Sequence, residues 1–159
     1  MIIKEIRDED FINYKKPSMF IGFPTCSFKC CKEGNFPIKV CQNCELVKAK
    51  NIEISAEQIV ERFVNNPITS AMVCGGMEPF DSWEDLLHLI KTLREYTSLD
   101  CVIYTGYNKE EIPDKILTLK QFSNIVIKFG RYQQGHQPHY DPVLGVNLVS
   151  DNQKAERIS

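Results

Sequence analysis

The sequence predicts an α/β domain built on a mostly parallel sheet, and three observations carry that prediction. Short apolar runs alternate with stretches of helical periodicity, the order that sets crossover helices between parallel strands. Two of the runs, Ser70 to Cys74 and Cys101 to Tyr104, are nearly continuous in apolar residues rather than alternating, as strands are when a sheet is covered on both faces or forms a barrel wall. The runs stop at turn residues: Pro24, Gly75-Gly76, Thr105-Gly106 and Gly130. The 159 residues suit a single domain over positions 1–159, long enough to bury a core and too short for two full domains. A composition of 43% hydrophobic and 25% charged residues is that of a soluble globular chain.

The elements follow in order. After a polar lead-in with Asp8, Glu9 and Asp10, the run Ser18 to Phe23 is a buried strand ended by Pro24, and a cysteine-rich loop leaves it directly. Ser55 with Gln58 forms a capping box ahead of a helix whose apolar face is Ile59, Val60, Phe63 and Val64, and Asn65-Asn66-Pro67 stops it. The next strand candidate is broken by Gly75-Gly76. A helix then begins at Asp81 or Ser82, with Glu84 and Asp85 at the positive end of its dipole and Leu86, Leu87, Ile90 and Leu93 as its stripe. Cys101 to Tyr104 is a strand, Asn108 with Glu111 caps a helix, and Ile125 to Ile127 is a strand ending near Gly130. From Gln133 to Ser159 the chain reads mostly as loop, with a short strand near Val146 to Val149. Chemistry in such folds gathers at the carboxyl ends of the strands. That edge would carry the cysteine loop, Gly75-Gly76, Tyr104-Thr105-Gly106-Tyr107 and Lys128 to Arg131.

A net charge of -2 gives no basic surface for sequence-independent nucleic-acid binding. No run reaches the ~18 apolar residues of a membrane span, and MIIKEIRDED is too acidic for a signal peptide. The expected compartment is the cytoplasm. Seven cysteines in a reducing compartment are not a disulfide framework, and five of them lie between Cys26 and Cys44. The spacing Cys26-x3-Cys30-Cys31-x9-Cys41-x2-Cys44 suits either structural zinc or an iron-sulfur cluster. Its place at the carboxyl edge favours a cofactor site. Cys74 and Cys101 read as small core hydrophobes, His88 as a surface residue, and Trp83 as packing. His136 and His139 fall in a polar loop.

Residue identity favours the cluster as well. Cys26-Ser27-Phe28-Lys29-Cys30 resembles the opening of the Cys-x3-Cys-x2-Cys loop of radical S-adenosylmethionine enzymes, and Gly75-Gly76-Met77-Glu78-Pro79 resembles their Gly-Gly-Glu-Pro turn. Tyr104-Thr105-Gly106-Tyr107, Gly130-Arg131-Tyr132 and Ser150-Asp151-Asn152-Gln153-Lys154 are similar, in that order, to stretches of the activating enzyme of anaerobic ribonucleotide reductase. Together these motifs span most of the chain.

The resemblance implies an incomplete βα barrel of mostly parallel strands, since a full eight-stranded barrel takes ~250 residues. It implies a 4Fe-4S cluster held by three cysteines, with S-adenosyl-L-methionine on the fourth iron, cleaved reductively to a 5'-deoxyadenosyl radical. The family's third cysteine would fall at position 33, which is Glu33. Cys26, Cys30 and Cys41 are the preferred ligands, Cys26, Cys41 and Cys44 the alternative, and Cys31 is spare in both. The cofactor-binding residues implied are Gly75, Gly76, Glu78, Pro79, Tyr104 and Thr105. Either the Glu78 side chain or a backbone carbonyl would meet the ligand. No residue is assigned a catalytic role. The partners implied are a glycyl-radical enzyme such as anaerobic ribonucleotide reductase and an electron donor such as flavodoxin or ferredoxin. The alternatives are a small-molecule enzyme similar to deazaguanine synthase and a non-catalytic zinc-stabilised binding module.

Overall fold

The computed structural model describes every residue from Met1 to Ser159. The chain enters through β1 (Ile2–Ile3) and β2 (Glu5–Asp10), then crosses to β3 (Ser18–Phe23). Two short helices, α1 (Lys29–Glu33) and α2 (Cys44–Lys48), break up the cysteine loop, with a 3-10 turn at Ile38–Val40 between them. After β4 (Ile52–Glu53), which pairs with β1, come α3 (Ala56–Val64), β5 (Ala71–Gly76), α4 (Trp83–Tyr96), β6 (Asp100–Tyr104), α5 (Pro113–Leu119) and β7 (Ile125–Phe129). The hairpin β8 (His139–Asp141) and β9 (Val146–Leu148) precedes β10 (Lys154–Arg157).

The central sheet has six strands in the order β10-β7-β6-β5-β3-β2. The inner four are parallel, while β2 and β10 pair antiparallel at the two edges. It is an open sheet and closes into no barrel.

Several expectations are corrected. The lead-in is the edge strand β2, and the carboxyl-terminal stretch, mostly loop and turn with the expected short strand at Val146–Leu148, also supplies β8 and the edge strand β10. Both edge strands are polar because only one flank and part of one face are covered, so neither shows an apolar run. Gly75-Gly76 does not break its strand: β5 runs through both glycines, registered against Gly22 and Phe23. The Asn108/Glu111 box caps a single 3-10 turn, and α5 starts after it at Pro113.

The helices form where local signals and packing agree. Ser55 Oγ accepts from the Gln58 backbone N–H at 3.2 Å, and Gln58 Oε1 accepts from that of Ser55 at 2.9 Å, completing the capping box of α3. Ile59, Val60 and Phe63 are buried against the sheet, but Val64 faces solvent. In α4 the stripe is Leu86, Leu89, Ile90 and Leu93, with Leu89 in the place expected of Leu87. Trp83 stacks on Phe80, and His88 sits on the surface beside Glu57.

All three long helices pack on one face of the sheet, over Met19, Ile21, Met72, Cys74, Cys101, Ile103, Ile125 and Ile127, in a core of 23 buried residues. The opposite face carries a smaller core of nine, in which Phe20, Val73, Val102 and Val126 meet Tyr14, Leu144 and Leu148. These come from the segment after β2 and from the β8–β9 hairpin, which cover only part of that face. No helix is long and apolar enough to cross a membrane.

Candidate metal centre

The parallel register brings the carboxyl ends of β3, β5, β6 and β7 to one edge, where Phe23 pairs with Gly76 and Tyr104 with Lys128. Beside it lies a cavity of about 520 Å³, whose walls include Cys26, Cys30, Cys41, Gly75, Gly76, Met77, Glu78, Tyr104, Thr105, Lys128 and Arg131. This volume is in the range of small-molecule and cofactor sites. Of the residues expected to bind cofactor or metal, only Pro79 is absent from the walls. It is buried at the start of the 3-10 turn that leads into α4.

The strand pleat assigns side chains to the cavity. Residues facing the helices alternate with residues facing the other way, so Phe129 belongs to the large core while Lys128 points to the opposite face. Gly75 is on that face too, and a Cβ there would stand 3.0 Å from the Phe20 ring and 3.6 Å from Tyr104. Gly76 has φ +81°, and a Cβ would be 2.7 Å from the Gly22 Cα, so no other residue fits without moving β3. Pairing of β5 with β6 ends at Cys74, whereas its pairing with β3 continues through Gly76, leaving one flank of the two glycines without a strand neighbour.

Glu78 is buried and its carboxylate is occupied. It accepts from the Thr105 hydroxyl and the Gly106 N–H, both at 2.8 Å, and from the Phe80 N–H at 3.2 Å. Burial pushes this carboxyl up to about 7, and those hydrogen bonds hold it below a still higher value. Its role is to tie the turn after β5 to the turn after β6. Tyr104 donates its hydroxyl to the Asn13 carbonyl at 2.6 Å, joining the same edge to the segment after β2.

Lys128 donates to the carbonyl oxygens of Gly130 at 2.9 Å and Thr105 at 3.4 Å. Burial pulls its ammonium down to about 8, opposed by the charges of Glu78 and Cys30. Arg131 is occupied: it makes two hydrogen bonds of 2.6 Å to Glu111 and an ion pair of 2.9 Å to Glu33.

The cysteine loop is held against this edge by polar ties. Ser27 N–H donates to Asp81 at 2.6 Å, Lys29 pairs with Glu111 at 3.0 Å, and Glu33 on α1 pairs with Arg131. Phe28 turns the chain in the left-handed region, φ 55°, and its N–H donates to Cys26 Sγ at 3.2 Å. Burial raises the Cys26 thiol to about 11, against that bond. The neighbouring Cys41 thiol lowers Cys30, and Cys30 in turn raises Cys41. Cys44 lies outside the cavity, with its thiol on Glu45 at 3.8 Å. Cys31 is buried beside Cys30.

No three His, Cys, Asp or Glu side chains converge on one point as the ligands of a single ion do. Cys26, Cys30 and Cys41 instead share the wall of one cavity, and thiols are the donors that hold a 4Fe-4S cluster.

Spacing marked the cysteines, and a strand-end turn together with the resemblance marked Gly75 and Gly76. The burial of Lys128 depends on the pleat and on the loops that cover it. The sequence places Lys128, like Tyr104 and Thr105, at a strand end on the edge expected to carry the cofactor, and the fold brings all three to the cavity wall.

The chain matches a protein-family model described as "4Fe-4S single cluster domain" over residues 19–154. It matches no curated protein and no solved structure.

Proposed function

The chain belongs to the 4Fe-4S single cluster domain family, and on that footing we propose that it is a radical S-adenosylmethionine enzyme of the type that activates glycyl-radical enzymes. The observation that carries this reading is the shared cavity, into which the three thiols, the Gly75 to Glu78 turn and Lys128 all open. A 4Fe-4S cluster held there would supply the single electron for reductive cleavage of S-adenosylmethionine to a 5'-deoxyadenosyl radical.

The chain's own residues bind, orient and shield. Cys26, Cys30 and Cys41 hold the cluster. The free flank of Gly75-Gly76 brings backbone carbonyls within reach of the ligand's ammonium. With the Glu78 carboxylate already occupied, the backbone meets the ligand and Glu78 fixes the turn that presents it. Lys128 has carbonyl partners and the charge of Glu78 nearby, and it lines the cavity, where the ligand's carboxylate would pair with it. Phe20 and Leu148 give the cavity an apolar wall.

In this reading the open sheet is the partial βα barrel of that superfamily. Its uncovered side admits a glycine-bearing segment of a partner such as anaerobic ribonucleotide reductase, with flavodoxin or ferredoxin as electron donor. Anaerobic reconstitution tests the reading. The expected product is a brown protein with iron and sulfide in equal amounts, bleached by dithionite, that forms 5'-deoxyadenosine from S-adenosylmethionine. A colourless protein holding one zinc ion overturns it.

A further inference from the structure

The Ser150 to Lys154 stretch enters the site through one side chain, Gln153. The register of β10 against β7, carried one residue beyond Lys154, sets Gln153 opposite Gly130. The pleat puts it on the face of Ala155, two positions on, which packs in the smaller core. Gln153 accordingly lines the cavity at the end that holds Lys128. Its amide is half used. The nitrogen donates to the Gly130 carbonyl at 3.2 Å, and because a carbonyl only accepts, this bond fixes which end of the amide is which. The oxygen is left as an acceptor without a partner, on a side chain that is only 4% exposed.

A buried polar atom with no partner is costly. An apolar side chain of the same shape would avoid that cost, and the Gly130 carbonyl would still have Lys128, which donates to it at 2.9 Å. The fold alone therefore gives no reason for a glutamine here, whereas a donor arriving in the cavity does. Resting on the reading above, we propose that Gln153 recognises the sugar of S-adenosylmethionine, its amide oxygen accepting a hydrogen bond from a ribose hydroxyl. Sharing one carbonyl makes the Gln153 amide and the Lys128 ammonium neighbours, so Gln153 stands beside the place of the ligand's carboxylate. The ligand's ammonium is engaged at Gly75-Gly76, and its adenine amino group is the donor farthest from the carboxylate. The hydroxyls are the donors that remain within reach.

Calorimetric titration of the anaerobic, cluster-loaded full chain tests this, without reductant, using S-adenosylmethionine and its 2'-deoxy, 3'-deoxy and inosine analogues. The unsubstituted chain should bind one deoxy analogue about tenfold more weakly than S-adenosylmethionine, the effect of one hydrogen bond to a buried acceptor. It should bind the inosine analogue, which lacks the adenine amino group, as well as S-adenosylmethionine itself. Gln153→Met should bind S-adenosylmethionine about tenfold more weakly and should no longer distinguish it from that deoxy analogue. A purely structural role would weaken every ligand alike and keep the preference. If Gln153→Met does not fold, Gln153→Asn, which withdraws the oxygen by one carbon, carries the same comparison. Equal binding of both deoxy analogues by the unsubstituted chain overturns the proposal, as does a variant that keeps the preference, or a preference lost with the adenine amino group alone. The reading beneath it fails separately: a cluster-loaded chain that binds none of these compounds removes S-adenosylmethionine from the cavity, whereas binding without a sugar preference removes only the role of Gln153.

Discussion

On the helix-covered face of the sheet, the parallel strands present only apolar side chains, and α3, α4 and α5 seal them in a core of 23 residues. On the other face the same strands present Gly75, Tyr104 and Lys128, and the cover stops short, leaving the cavity. Neighbouring residues of one strand serve opposite ends: Phe129 adds to the core, while Lys128 is a buried cation that burial alone would disfavour. The contrast teaches that stability and ligand chemistry are separated here by one step of the pleat, not by domains. Substitutions on one face should therefore spare the property that belongs to the other.

The largest expected effect is on iron. Replacing Cys30 and Cys41 together by Ala leaves too few thiols in the cavity wall and should abolish iron and sulfide content, while the urea midpoint of the metal-free chain barely moves. Cys44→Ala, outside the cavity, should keep full iron. A double variant that retains its cluster, or a Cys44→Ala variant that loses it, breaks the assignment. Next comes the helix face. Leu89 is fully buried in α4, and Leu89→Ala should cost about 2–5 kcal/mol, read from chemical denaturation. Its folded fraction should still take up a full complement of iron.

A smaller effect belongs to Glu78, and its sign follows from linkage. The folded carboxyl titrates near 7, against 4.5 when unfolded, so between those values the native state holds a proton that the unfolded chain releases. Stability of the metal-free chain should fall as pH rises from about 4.5 to 7, by roughly 3 kcal/mol at most. Glu78→Gln lowers stability throughout, because its amide nitrogen must face an N–H or hydroxyl donor, but it should remove this slope. Urea midpoints measured across that range for both proteins decide it, and an unchanged slope in the variant shows that Glu78 is not its source.

The helix face was the more legible of the two. The Ser55/Gln58 box is local, and α3 starts where it says. Leu89 replaced Leu87 because the phase of an amphipathic helix is set by what it packs against, and in WEDLLHL several apolar positions compete for the buried stripe. Strands β2 and β10 were illegible for a related reason: EIRDED and KAER have no apolar run, and only the neighbouring strand makes them strands. At the site, spacing marked the cysteine cluster, and the resemblance to radical S-adenosylmethionine enzymes singled out Cys26, Cys30, Gly75 and Gly76, which the fold brings to one cavity. Separating Cys41 from Cys44 requires the path of the loop through its 3-10 turn. The tie between Glu78 and Thr105 joins residues 27 positions apart, so nothing local announces it.

The smallest effect tests whether the cavity face depends on how the cysteine loop is fastened. Glu111 receives Lys29 and both terminal nitrogens of Arg131, which lower its carboxyl to about 2. The native state therefore gains stability above pH 4.5 and loses it as pH falls from 4.5 toward 2. With 28% of the Glu111 side chain exposed, solvent screening reduces that gain to about 1 kcal/mol. Glu111→Gln should lose this amount at neutral pH, and it should also free α1, so that a chelator strips iron from the holoprotein several-fold faster. Arg62→Ala offers the contrast, because it removes an ion pair with Asp8 that joins α3 to β2. Iron release should not change there. Equal acceleration in both variants would mean that cluster retention follows overall stability, and the separation of the two faces would fail.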